Sequence, residues 1–126
     1  MNNTTEPLDT AFVIAIDREQ GRAGFGALLA RADLSAAASA ADVTLNVVIE
    51  IDAGMGRCGV QPGAPALALV EAIVRAPGLR FAGLHAYEGH MVDNPDRAIR
   101  QTGTEAMLAL VMETKQVIER AGIEVV

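Results

Sequence analysis

A single cysteine, Cys58, excludes an internal disulfide and any site built from several thiolates. Aromatic residues are nearly as scarce: Phe12, Phe25, Phe81 and Tyr87 are the whole set. That argues against a β-sandwich, which draws on aromatics and threonine to fill its two facing sheets. Lysine occurs once, as Lys115, and no cluster of Lys and Arg exists in a chain of net charge −6. A nucleic-acid surface needs clustered cations to neutralise phosphates, so that partner is not expected. No uninterrupted apolar run approaches the roughly 20 residues that span a bilayer. The segment Met1–Leu8 is polar and acidic, unlike a signal or transit peptide. The expectation is a cytoplasmic protein with no membrane partner.

What the chain does have is apolar bulk, 51% of its residues, mostly alanine and valine spread periodically. Residues 1–9 read as a disordered leader, and residues 10–126 as one α/β domain. Phe12–Ile16 is a short apolar run ended by Asp17 and reads as a buried strand. The Ala- and Leu-rich stretch from Arg18 to Ala41 is expected to be helical in its later part, since Gly21, Gly24 and Gly26 weaken the first half. Val43–Ile51 is a second, β-branched strand. After a glycine-rich loop, Pro65 suits a first helical turn, and Ala66–Arg75 predicts a helix with Leu67, Leu69, Val70, Ile73 and Val74 on its apolar side. Pro77-Gly78 stops it, and Leu79–Tyr87 is the third strand. A polar loop runs to Pro95, with Asp96 as N-cap of a long helix that reaches Arg120 and carries Met107, Leu108, Val111, Met112 and Ile118. Ala121-Gly122 caps its end, and Ile123–Val126 is expected to start a fourth strand. Strands beginning about 34 residues apart, with helices between, imply right-handed crossovers and a parallel sheet. About three such βα units are present, whereas a closed eight-fold barrel needs about 250 residues.

In parallel α/β folds ligands sit beyond the C-terminal ends of the strands. Two such ends carry chemistry: Glu50 to Gly59 after the second strand, and His85 to His90 after the third. Gly54, Gly56 and Gly59 have the spacing of a dinucleotide fingerprint, which leaves open an anion- or nucleotide-binding module. The context argues against it, because Pro62 and Gly63 delay the helix that should begin at the second glycine. Arg57, in a tight glycine-flanked loop, either holds an anionic or phenolate oxygen or pairs with Glu50 or Asp52 to tie the loop down. His85, Glu88, His90 and Asp93 are metal donors by type, yet strand alternation puts His85 and Tyr87 on one face and Glu88 on the other. Tyr87 is then an acid/base or polarising hydroxyl, or a core ring with its hydroxyl at the rim. Cys58, beside Arg57 with no histidine partner in sequence, reads as a buried structural thiol.

Taken together, the segments Val48-Ile49-Glu50-Ile51-Asp52-Ala53-Gly54-Met55-Gly56-Arg57-Cys58-Gly59-Val60 and Leu79-Arg80-Phe81-Ala82-Gly83-Leu84-His85-Ala86-Tyr87-Glu88-Gly89-His90 resemble fold-type III pyridoxal-phosphate (PLP) enzymes. The D-threonine aldolase and D-serine dehydratase branch is the nearest; alanine racemases share the Asp-x-Gly-Met-x-Arg core more distantly. The likeness is strong over residues 43–126, weak over 10–42 and absent before that. It implies that the βα units are part of a TIM-type (β/α)8 barrel of the alanine racemase N-terminal kind, with PLP at its mouth.

By the same resemblance, Arg57 is similar to the arginine that hydrogen-bonds the cofactor's phenolic oxygen, and Tyr87 to the residue beside the cofactor ring that joins in substrate chemistry. His85 stands where this branch often has glutamine. The implied reaction is cleavage at Cα of a D-amino acid: retro-aldol cleavage of D-3-hydroxy amino acids, dehydration of D-serine, or, more distantly, racemisation. The resemblance puts the cofactor's lysine on a first strand upstream of these residues, the phosphate-gripping loop after Val126, and the divalent-metal ligands and a β-rich domain further on. The expectations that follow are a homodimeric parent enzyme, and a fragment that is inactive alone and either self-associates or needs the remaining strands.

Overall fold

The computed structural model describes residues 11–14 and 34–125. The expected leader, the end of the first strand at Ile16 and most of the Ala-rich stretch lie outside the described residues. Three parallel strands form one sheet in the order β1 (Ala11–Ile14), β2 (Leu45–Ile51), β3 (Leu79–Ala86). Helix α1 is described over residues 34–40, followed by α2 (Ala64–Val74), the short α3 (Gly89–Val92) and the long α4 (Arg97–Arg120).

The sheet forms where β-branched residues alternate. Val47, Ile49 and Ile51 of β2 are fully buried on one face, as the two-residue period of a strand requires. Against them α2 lays Ala66, Leu69, Val70 and Ile73, a stripe at i, i+3, i+4 and i+7. Ile118 of α4 joins the same core. Replacing one of these isoleucines by alanine would cost about 2–5 kcal/mol.

The expected helix faces need correction. Val74, Leu108 and Met112 are each more than half exposed. The inward stripe of α4 is Met107, Leu110, Thr114 and Ile118, and Leu108 and Met112 are rotated roughly 100° or more away from it. Thr114 is 1% exposed, a polar residue in an apolar row. Its hydroxyl accepts from the Gly63 amide (3.1 Å) at the start of α2 and donates to the Leu110 carbonyl (2.9 Å). One side chain thus satisfies an orphan amide of one helix from the side of another.

The helix ends follow local chemistry. Asp96 caps α4 by accepting from the Ala98 (2.8 Å) and Ile99 (3.3 Å) amides, a contribution of about 1 kcal/mol. Ala121 and Gly122 end it. The Pro77-Gly78 turn is held from two sides: the Ser35 hydroxyl donates to the Pro77 carbonyl (2.6 Å), and the Leu45 amide to the Gly78 carbonyl (2.8 Å). The expected fourth strand is absent from the described residues. Residues 123–125 have no sheet partner among the described residues and are tied back to α4, the Ile123 amide to the Ile118 carbonyl and Lys115 Nζ to the Val125 carbonyl (3.0 Å). The loop expected from Glu88 to Pro95 contains α3, a single helical turn.

One irregularity decides which side of the sheet carries the chemistry. Val47 pairs with Phe81, but Val48 pairs with Gly83, so Ala82 is an extra residue in β3. Before it, Leu79 and Phe81 face the helices; after it, Leu84 and Ala86 do, while His85 pairs with Glu50 on the opposite face. Without the bulge, His85 would point into the helix-covered core.

Thr114→Val should unfold at lower urea, with a loss of about 1–3 kcal/mol, because the Gly63 amide loses its acceptor while the apolar shape is kept. An unchanged midpoint would remove Thr114 from the account of how α2 and α4 are joined.

Candidate active site

At the end of β2 the chain makes a closed loop. The Val60 amide donates to the Glu50 carbonyl (2.8 Å) and the Asp52 amide to the Val60 carbonyl (2.9 Å), so Ile51 and Val60 pair as a short parallel bridge. Gly59 makes this closure feasible: its φ is +96°, and a Cβ there would fall 2.6 Å from the Asp52 nitrogen and 2.8 Å from the Ile51 carbonyl carbon. Inside the loop, the Asp52 side chain accepts from three donors. Oδ1 takes the amides of Gly54 (3.2 Å) and Gly56 (2.9 Å), and Oδ2 takes Gln61 Nε2 (3.0 Å). Asp52 is only 7% exposed, and hydrogen bonds to an ionised carboxylate are the strong ones.

This arrangement bears on the alternatives left open by the sequence. The loop is tied down by Asp52, but through backbone amides and not through Arg57. Arg57 is exposed and makes no ion pair or hydrogen bond with the described residues. The Gly54 and Gly56 amides, which a phosphate would need, already donate to a carboxylate, and α2 begins only at Ala64. Both features disfavour a nucleotide held by this loop. Cys58, expected to be buried, is partly exposed and free, because it lies in the loop beyond the sheet and not under it.

The second strand end brings His85 and Tyr87 to the same rim. His85 is exposed on the face that carries Glu50, and Tyr87, two residues on, is 45% exposed. Neither side chain is hydrogen-bonded among the described residues. The loops after β2 and β3 touch: Gly54 lies close to the edge atoms Nε2 and Cε1 of His90, and Gly89 lies close to both the Tyr87 ring and the Met55 thioether. No three His, Cys, Asp or Glu side chains come together among the described residues, so His85, Glu88, His90 and Asp93 do not form a metal cluster. Lys115 is in the helix layer, where its Nζ donates to the Val125 carbonyl and lies 3.5 Å from Glu119. No described helix is long and apolar enough to cross a membrane.

The sequence offers Asp52 only as a partner of Arg57 and Gly59 only as part of the glycine spacing, and it gives Gln61 and Met55 no role. A signal for Asp52 existed: an acidic residue directly after a strand and two residues before a glycine is a common acceptor for turn amides. The contact of Met55 with the next loop has no local signal.

Gly59→Ala should destabilise the chain by at least about 2 kcal/mol, from the positive φ and the overlap with the backbone of β2 together. Chemical denaturation checks this; a loss below about 0.5 kcal/mol, the scale of an ordinary surface substitution, would mean that the loop closes differently.

Comparison with known proteins fits this geometry. The family model described as alanine racemase, N-terminal domain, matches residues 13–126. The chain is 37% identical over 92 residues to a 3-hydroxy-D-aspartate aldolase of Paracoccus denitrificans (strain Pd 1222), covering 73% of this chain and 24% of that protein. It is 34% identical over 83 residues to a D-threonine aldolase of an Arthrobacter species, covering 66% of this chain and 22% of that one. The crystal structure of D-threonine aldolase from Filomicrobium marinum superposes with a TM-score of 0.75 at 37% identity, over 78% of this chain and 26% of that chain. The chain therefore spans about a quarter of the length of these relatives. Its parallel βα units are a segment of their barrel, and the chain belongs to the alanine racemase N-terminal domain family of fold-type III pyridoxal-phosphate enzymes.

Proposed function

We propose that this chain is the cofactor-facing barrel segment of a PLP-dependent aldolase that cleaves D-3-hydroxy amino acids. The observation that carries this reading is two uncommitted groups at neighbouring strand ends: an exposed Arg57 on a rigidly held loop after β2, and a half-exposed Tyr87 after β3, on loops that touch through Met55 and Gly89. The two curated relatives above are both named as aldolases of D-amino acids, which favours retro-aldol cleavage over dehydration or racemisation.

The residues present fit the cofactor in part. A guanidinium with no protein partner among the described residues is available to donate to the phenolic oxygen, and the Asp52 grip keeps its loop from collapsing. PLP, when bound, supplies an electron sink for the charge left at Cα as the bond to Cβ breaks. Tyr87 contributes a phenol at the rim, suited to exchange a proton with the substrate's 3-hydroxyl as the aldehyde forms. His85 lines the same open face and is a candidate for the edge of the cofactor ring. Covalent attachment of the cofactor does not fit Lys115, the only lysine in this sequence, which is engaged in the helix layer. A divalent metal belongs to the proposal as an ion held by residues other than these.

Two outcomes follow. The purified chain mixed with PLP should cleave D-threonine no faster than free PLP does, by coupled aldehyde assay. Robust turnover would mean that catalysis here needs no strand-end lysine. A chimera in which residues 34–125 replace the matching segment of the Arthrobacter D-threonine aldolase should cleave D-threonine or D-3-hydroxyaspartate. In it Arg57→Ala should weaken PLP binding at least about tenfold, the loss of one charged hydrogen bond. Tyr87→Phe should lower kcat by about 100-fold or more. A folded, PLP-loaded chimera indifferent to both changes would overturn the assignment.

A further inference from the structure

The loops after β2 and β3 meet at one point, where Met55, Tyr87 and Gly89 come together. A Cβ built on Gly89 would fall 2.5 Å from Cε1 of Tyr87, 3.0 Å from Sδ of Met55 and 3.1 Å from Met55 Cε. Ring edge and thioether therefore border one point and lie no more than about 5.5 Å apart, within reach of the ~5 Å at which sulfur and aromatic rings attract. Only a residue without a side chain can stand between them. Beside this contact, a Cβ on Gly54 would lie 3.1 Å from Nε2 and 3.2 Å from Cε1 of His90, a second close approach of the same two loops. Met55 itself lies between Gly54 and Gly56, the two residues whose amides the Asp52 carboxylate holds.

We propose that Met55 is a positioning residue for Tyr87. Asp52 fixes the backbone on both sides of Met55, Met55 sets its thioether against the Tyr87 ring edge beside Gly89, and the phenol is thereby held at the rim. Tyr87 is at a strand end, half exposed, and its hydroxyl has no hydrogen bond among the described residues that would fix the ring. Its two side-chain torsions would otherwise sample several rotamers. The contact also couples the loops, so the residue proposed to grip the cofactor, Arg57, and the residue proposed to move a proton, Tyr87, are set by one loop. The catalytic meaning of this clamp rests on the proposed function; its geometry does not.

The sequence supplies its own probe, because Tyr87 is the only tyrosine and there is no tryptophan. Near-ultraviolet circular dichroism of the 126-residue chain therefore reports the Tyr87 environment, while the far-ultraviolet spectrum reports folding. The chain should show a tyrosine band without added cofactor. Met55→Ala should reduce that band at least about twofold with the far-ultraviolet spectrum unchanged, and Met55→Leu, which keeps most of the volume, should restore much of it. Gly89→Ala forces the ring aside and should alter the band even if Met55→Ala fails to fold. Asp52→Asn should act in the direction of Met55→Ala, through the loop. The proposal is overturned if the parent chain lacks the band, or if folded Met55→Ala and Gly89→Ala both retain it unchanged. A band that depends on Met55, together with a PLP-loaded chimera indifferent to Arg57→Ala and Tyr87→Phe, would support the clamp and count against the cofactor reading alone.

Discussion

Where β2 stops being a strand, three donors turn inward onto one buried carboxylate, and the rest of the site is arranged around that grip. Backbone amides at the end of a strand need acceptors, and a half-buried loop cannot leave them to solvent. Asp52 answers for Gly54 and Gly56 with one oxygen and holds Gln61 with the other. The bridge between Ile51 and Val60 closes the loop beneath it and returns the chain to the core through buried Val60. Because both ends and the middle are fixed, the residues between them have defined directions: Met55 toward the next loop, Arg57 toward solvent. A flexible glycine-rich loop of the same composition would have neither.

The second constraint is parity. Side chains alternate along a strand, so a single inserted residue reverses every later position. Ala82 is that residue. It lets the first half of β3 pack Leu79 and Phe81 against the helices, while the second half turns His85 to the open side beside Glu50. The core and the site are served by one strand, with the bulge between them.

The helix layer supports this rim without contributing to it. Thr114 joins α4 to the start of α2, and Lys115, its neighbour, is bonded to the chain after α4. A buried hydroxyl with both a donor and an acceptor partner is stable in an apolar interface, and it fixes the axial register of the two helices more sharply than aliphatic packing would. The start of α2, into which the closed loop leads, is thereby tied to α4.

Much of this was legible in residue types alone. The β-branched run of β2, the Pro77-Gly78 stop, the Asp96 cap and the Ala121-Gly122 end are local features, and each occurs as local physics dictates. Arg57 and Tyr87 are picked out as site candidates by their place after two parallel strands, where ligands gather in folds of this class. What remained hidden is what depends on groups far apart in sequence. Which stripe of α4 faces inward was set by its packing against α2 and the core, so Leu108 and Met112 are exposed and Thr114 buried. Whether residues 123–125 pair as a strand depended on a partner, not on their own β-branched character. The clamp of Met55 on Tyr87 spans two loops, and the bulge that aims His85 shows only in the pairing of two strands; periodicity describes one segment at a time, whereas these are decided by how segments meet.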